Sequence, residues 1–160
     1  MAKTIAVKEL AYFVCQSGNL TTEFFSNHDL EAGRKAHHYH QARYNELSKK
    51  EVYVKSEITY QNEVYLLHGY IDGVLNIDSK LIIEEIKSTL IELDEITLDY
   101  HKEHLAQLKI YGYIYAINNN LDEVNLRLTY LSAIDYLVKG FDITVKTTEL
   151  EEFVMDIFEE

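Results

Sequence analysis

The sequence predicts an α/β fold: a central mixed β-sheet flanked by helices. Three observations predict it. Apolar residues recur with helical period at both ends and in one long central stretch, and with strand period between them. The resulting order is α-α-β-β-β-α-β-β-α, in which strands first cluster and then alternate with helices, as in a sheet covered on its faces. The 160 residues contain no proline, where a usage of roughly 5% would give about eight. Long elements with few proline-marked turns are expected.

In order, residues 7–15 read as a short helix with Val7, Leu10, Ala11 and Val14 on one face. A longer helix runs over 29–47, with Asp29 as N-cap and Glu31 close behind. The period then changes to two: Val52, Val54, Ser56, Ile58 and Tyr60 alternate with Tyr53, Lys55, Glu57 and Thr59, which predicts a strand. Residues 61–63 read as a turn. Strands follow over 64–77 and 81–88, joined across Asp78-Ser79. Leu98, Leu105, Leu108, Gly112 and Tyr115 share a face of a helix over 98–117, which Asn118-Asn119-Asn120 stops. Two strands, 124–133 and 137–145, precede an amphipathic helix bearing Leu150, Phe153, Val154, Ile157 and Phe158.

The length predicts one domain, 1–160, able to bury a core. The last helix stops within its pattern and without a C-cap glycine. We therefore expect a domain excised from, or fused to, a larger protein at its C-terminus. The longest apolar run, 110–117, is too short to span a membrane, and the N-terminus carries charges in place of a signal-peptide core. The single cysteine, Cys15, has no internal partner, so a cytoplasmic protein is expected.

The net charge of −12 argues against a nucleic-acid partner. Its distribution softens the objection. Residues 1–110 hold 12 Lys+Arg and 17 Asp+Glu, and residues 111–160 hold 3 and 10. The bases thus concentrate where the candidate chemistry lies.

That chemistry begins at the Asp78-Ser79 hairpin. If it closes symmetrically, Ile77 pairs with Lys80 and Asp72 lies opposite Glu85. Lys87 follows on the face of Glu85. Two carboxylates facing at about 4.5–5.5 Å repel, and the surrounding Ile71, Val74, Leu75, Ile82, Ile83 and Ile86 imply burial. A buried unpaired acid is costly; a divalent cation resolves the conflict by taking both as hard oxygen ligands. The alternative is a pair of solvated acids on an edge, with Glu84 as one more. His37, His38 and His40 alone are as readily polar helix surface as ligands, with His38 the nearest rival to His37. Gln107 and Tyr111, at i and i+4, share a face.

These residues resemble the D…(D/E)-x-K signature of the PD-(D/E)XK nuclease superfamily: Asp72, then Glu85-Ile86-Lys87. Gly69-Tyr70-Ile71-Asp72-Gly73 resembles the G-x-x-D segment of its RecB-like branch. Gly33-x-x-x-His37 resembles that branch's helix motif, whose histidine binds metal. Gln107-x-x-x-Tyr111 resembles its Q-x-x-x-Y motif, which contacts nucleic acid. The four motifs occur in order over about residues 30–117. Cys15 alone cannot serve an iron–sulfur cluster, so the resemblance is to a cluster-free member. The stretch 104–116 is also similar to nuclease domains fused ahead of XPD-like or DinG-like helicases.

The resemblance implies a restriction-endonuclease-like α-β-β-β-α-β core and a Mn²⁺- or Mg²⁺-dependent deoxyribonuclease. An exonuclease acting on single-stranded DNA in repair or recombination is the leading expectation. A DNA-binding or helicase-docking module on the same fold and a structure-selective endonuclease are the alternatives. His37, Asp72, Glu85 and the Ile86 carbonyl would hold the metal. Asp72, Glu85 and Lys87 would be catalytic. Gln107 and Tyr111 would meet the substrate. Apart from the resemblance, Arg34, Lys35, Lys102 and Lys109 are candidates for phosphate contact, and each alone reads more readily as solvated surface.

Overall fold

The computed structural model describes residues 3–15, 27–98 and 101–159. Six strands and four α-helices are seen among them. In order they are β1 (Lys3–Ala6), α1 (Val7–Cys15), α2 (Asn27–Ala42), β2 (Lys49–Tyr60), β3 (Glu63–Ile77), β4 (Lys80–Thr89), α3 (Lys102–Asn118), β5 (Glu123–Ser132), β6 (Val138–Lys146) and α4 (Thr147–Phe158). The strands form one mixed sheet, β1-β3-β4-β5-β6, with β2 also paired to β3. The pairs β1–β3 and β4–β5 are parallel and the others antiparallel. The expected α/β architecture, a mixed sheet with helices on its faces, is the one observed.

Both long hairpins close through two-residue turns with left-handed backbone at each position, Gln61-Asn62 and Asp78-Ser79. Such turns match the right-handed twist of their strands. The predicted three-residue turn therefore shortens to two, and β3 starts at Glu63. The helix expected over 29–47 spans Asn27–Ala42 instead and gives way to turns before β2. The side chain of Asp29, the expected cap, lies outside the described residues. The helix expected from 98 starts at Lys102; residues 99 and 100 lie outside the described residues. β1 is an addition to the expected elements: four residues, running directly into α1, are too few for a periodic signal.

β4 is central, between β3 and β5, and both of its faces are covered. On one face Ile86 packs with Ala36 of α2 and Leu131 of β5. On the other, Ile83 joins the main core with Leu108, Ile114, Leu126 and Leu128. Glu84 therefore points toward α2, while Glu85 and Lys87 point toward α3. α3 is apolar nearly all round because it is buried between sheet and helices: Ala106, Leu108, Ile110, Tyr113, Ile114 and Ala116 are all enclosed. Among the described residues, no helix is long and apolar enough to cross a membrane.

Candidate metal centre

The site forms where the sheet forks. β2 lies along one edge of β3 from Glu63 to Val74. The other edge is shared: β1 pairs with Tyr65 to His68, and β4 pairs with Gly73 to Ile77. Between these partners, Gly69 to Asp72 faces an opening. The predicted register holds from Ile77↔Lys80 to Gly73↔Glu84, but the ladder ends one pair short of Asp72 and Glu85. There the Asp72 side chain substitutes for main chain, its Oδ2 accepting the Ile86 N–H at 2.8 Å.

α2 brings His37 to the fork. A Cβ on Gly33 would sit 2.6 Å from Ser88 Oγ, so glycine lets the helix settle against β4. One turn later His37 Nε2 lies 3.4 Å from Asp72 Oδ1 and 3.9 Å from Glu51 Oε1. Gly33→Ala is expected to cost about 1–3 kcal/mol by overpacking. Ser88→Ala should recover most of that in the double variant. A denaturant series on the four proteins measures it; an equal cost of Gly33→Ala in both backgrounds would refute the contact as the constraint.

α2 is also anchored by Glu84, which is buried rather than solvated. His40 Nε2 donates to it at 3.1 Å, Thr129 Oγ1 donates at 2.6 Å, and the Tyr44 hydroxyl donates as well. Burial opposes its ionisation, but these three donors outweigh burial and hold its pKa below the usual value. Neighbouring acids on β4 thus serve opposite faces: Glu84 fastens α2, and Glu85 enters the site.

Glu85 is 3% exposed. Its Oε1 lies 3.4 Å from Lys87 Nζ, and its Oε2 is buried with no hydrogen-bond partner. Burial, then the adjacent Asp72 carboxylate, pushes its pKa well above the ordinary range, against the pull of Lys87. Burial would lower the His37 pKa, but Asp72 and Glu51 override it, and the net shift is upward. Lys87 Nζ donates to Gln107 Oε1 at 2.8 Å, so α3 fixes the direction of the ammonium.

All of these groups line one cavity of about 850 Å³. Its far end carries His101 and His104, whose rings lie 4.8 Å apart. His104 Nδ1 and the Tyr130 hydroxyl are hydrogen-bonded at 2.9 Å. Burial first, then the Lys87 charge, drops the His104 pKa to about 3, so this ring is neutral at working pH. At the mouth, Tyr70 is 59% exposed, and its ring lies 5.1 Å from that of Tyr53.

The structure thus gathers His37, Asp72, Glu85, Ile86, Lys87, Gln107 and Tyr111 around one cavity. Gln107 and Tyr111 are nearly enclosed, at 4% and 3% exposure. Gln107 is engaged with Lys87, and the Tyr111 hydroxyl packs against Gly69, filling the space that a Cβ there would need. Arg34 is exposed in a second groove that shares His37, Glu51 and Asp72. His38 lies there too, its ring 6.4 Å from that of His37. Lys35 pairs with Glu31 at 3.8 Å. Lys109 lies over the Phe153 ring at 4.8 Å, against α4. Lys102 is exposed at the start of α3.

Glu51 is a member of the site that the sequence motifs do not include. Its carboxylate, with His37 and Asp72, forms a cluster whose ligand atoms all lie within 4.8 Å of one another. Gln41 Nε2 holds it at 2.9 Å and also donates to the Asp72 carbonyl at 2.9 Å. A signal existed: around Gln61-Asn62, Tyr60 pairs with Glu63 and Lys50 with Gly73, which sets Glu51 across from Asp72.

The donor set fits a hard divalent cation with some nitrogen character: one imidazole and three carboxylates, one of which has an orphaned buried oxygen. No family model matches the chain, and no curated protein matches it. The solved structure of SSO0001 is similar, with a TM-score of 0.64 at 18% identity over 99% of this chain and 77% of that one. A likeness at that identity establishes the α/β fold alone.

Proposed function

We propose that this chain is a Mn²⁺- or Mg²⁺-dependent deoxyribonuclease of the PD-(D/E)XK type, acting on single-stranded DNA. The observation that carries the reading is the Glu85 carboxylate. It is buried beside Asp72 and within reach of Lys87, and one oxygen is unpartnered. An orphaned acid there costs stability and makes sense as a ligand.

His37, Asp72 and Glu85, with the Ile86 carbonyl, would hold the cation. When bound, it supplies Lewis acidity toward a phosphoryl oxygen and a water of lowered pKa. The protein's residues do the rest. Lys87 offsets charge developing on the scissile phosphate and orients the attacking water. Gln107 keeps the ammonium on station, a positioning role. The Asp72 carboxylate stays fixed because the Ile86 amide holds one of its oxygens. Tyr70 and Tyr53 offer exposed rings on which unpaired bases can stack, an affinity that needs no positive charge. That suits a chain of net charge −12, which should bind DNA weakly and more weakly as salt rises. A fused helicase would supply the missing grip.

The rival reading, a DNA-binding or helicase-docking module, is favoured by the same charge. Labelled single-stranded, duplex and branched DNA with Mn²⁺ separates the readings. Single-strand cleavage with duplex spared is expected. Preferential cutting at branch points would indicate a structure-selective endonuclease, and tight, salt-insensitive binding without cleavage would favour the docking module.

A further inference from the structure

We infer that the far end of the cavity, where Lys8, His101 and His104 meet, is a phosphate subsite that holds a phosphate of the strand beside the one cleaved. This deepens the nuclease reading and rests on it for the role of the bound strand; the subsite itself is tested without cleavage. The cavity of about 850 Å³ has two ends of opposite character. At one end stand His37, Glu51, Asp72 and Glu85, a set that repels an anion when no cation is bound. The other end is built from donors. Ala6, Val7 and Lys8 line it, so α1 opens onto the cavity. α3 opens onto it too: its N-cap is His101, and no side chain caps its first turn. First-turn amides and the positive end of a helix dipole favour an anion. Two such ends and a lysine converge here, in a chain whose net charge is −12. The Glu103 carboxylate in the lining is engaged by His101 Nδ1 at 3.2 Å.

His104 supplies the directional donor. Its Nδ1 and the Tyr130 hydroxyl are hydrogen-bonded at 2.9 Å. With the hydroxyl donating, the ring proton sits on Nε2, the nitrogen left to meet a ligand. Beyond burial, the charges that act on this ring are those of Lys87, His101 and Lys8, and all three lower its pKa, as a local surplus of positive charge does. A neutral imidazole there donates to a phosphate oxygen while the lysines supply the countercharge. Independently, the Glu85 oxygen, buried and unpartnered in the same cavity, marks this space as one that receives a ligand. Lys87 links the two ends, since it reaches Glu85 at 3.4 Å and also acts on His104. Tyr12, four residues after Lys8 and so on the same face of α1, also lines the cavity and offers a ring to the adjoining base.

The probe is inorganic phosphate, titrated at constant ionic strength into the intact chain freed of metal, with the histidine ring signals followed by nuclear magnetic resonance. The His101 and His104 signals should shift together and saturate, while that of His38, in the groove beyond His37, should stay in place. Lys8→Glu should weaken binding about tenfold or more, and Lys8→Met less. Lys8 is exposed on α1, so both variants should keep the fold. Lys146→Glu, the same charge change at the exposed start of α4, should leave binding within about twofold. Ring signals that do not move, or binding unchanged by Lys8→Glu, overturn the subsite. Thymidine dinucleotides then identify the source of the phosphate: tighter binding of a form with a terminal phosphate assigns the subsite to a strand end, and equal binding of the unphosphorylated form assigns it to an internal diester. DNA cleavage with the ring signals unmoved by phosphate would sink the subsite and leave the nuclease reading standing. Phosphate binding in a chain that cuts no DNA would do the reverse.

Discussion

Asp72→Asn, Glu85→Gln and Lys87→Met are each expected to lower metal-dependent DNA cleavage by on the order of 10³-fold or more, with the fold intact. The three side chains line one cavity from the two strands of the sheet fork. Asp72 is anchored to the Ile86 amide, Glu85 is enclosed beside it, and Lys87 is held by Gln107. Because the effects belong to one unit, double variants should lose little more than single ones. Gln107→Ala leaves the ligands in place and should lower the rate of cleavage while Mn²⁺ affinity stays near wild type. Circular dichroism and metal titration alongside cleavage rates check all of these. Substantial activity in any two of the three first variants would remove these residues from the reaction.

Mn²⁺ at a hundredfold excess over its Kd should stabilise the chain by about 2.7 kcal/mol, a Tm rise of roughly 5–10 °C for a domain of this size. The rise should grow with pH. Glu85 and His37 both have folded-state pKa values above their ordinary 4.5 and 6.5. Each contributes stability that is full below its ordinary value and is lost as pH climbs through its raised one. Below about 6.5 the depressed pKa of His104 works in the opposite sense, so the net loss of stability in the metal-free protein is expected as pH rises from about 6.5 to 8. Cation binding requires both groups deprotonated, so its contribution moves the other way and offsets the loss. His37→Ala should erase the preference for Mn²⁺ over Mg²⁺ by removing the nitrogen ligand, and His38→Ala should not. Thermal melts across pH with each cation measure this; a pH-independent shift, or a preference that survives His37→Ala, would place the ligands elsewhere.

Much of this site is legible from hairpin arithmetic. A two-residue turn fixes register, so the Asp78-Ser79 dipeptide by itself aligns Asp72 with Glu85. Most features that escape the sequence share a cause: they depend on contacts remote along the chain. β1 takes the upper edge of β3 and, with β4, opens the fork. A four-residue parallel strand leaves no periodic trace. Glu84 reads as surface because an acid in a strand is usually solvated. Its three partners come from α2, the turn after it and β5. Gln107 and Tyr111 share a face, as their spacing requires, but what that face meets is Lys87 and Gly69. Lys109 reads as a free cation because no local rule places Phe153 beneath it. Glu51 is hidden by one residue: taking the β2–β3 turn as three positions removes the symmetry that sets it against Asp72.

The most direct test of the nuclease reading is incubation of end-labelled single-stranded DNA with the purified chain in Mn²⁺, in Mg²⁺ and in EDTA, with Lys87→Met beside the wild type. Slow cleavage is expected with Mn²⁺, less with Mg²⁺, none with EDTA, and none with Lys87→Met even when Mn²⁺ is bound. Intact DNA under every condition, with Mn²⁺ binding verified, would contradict it.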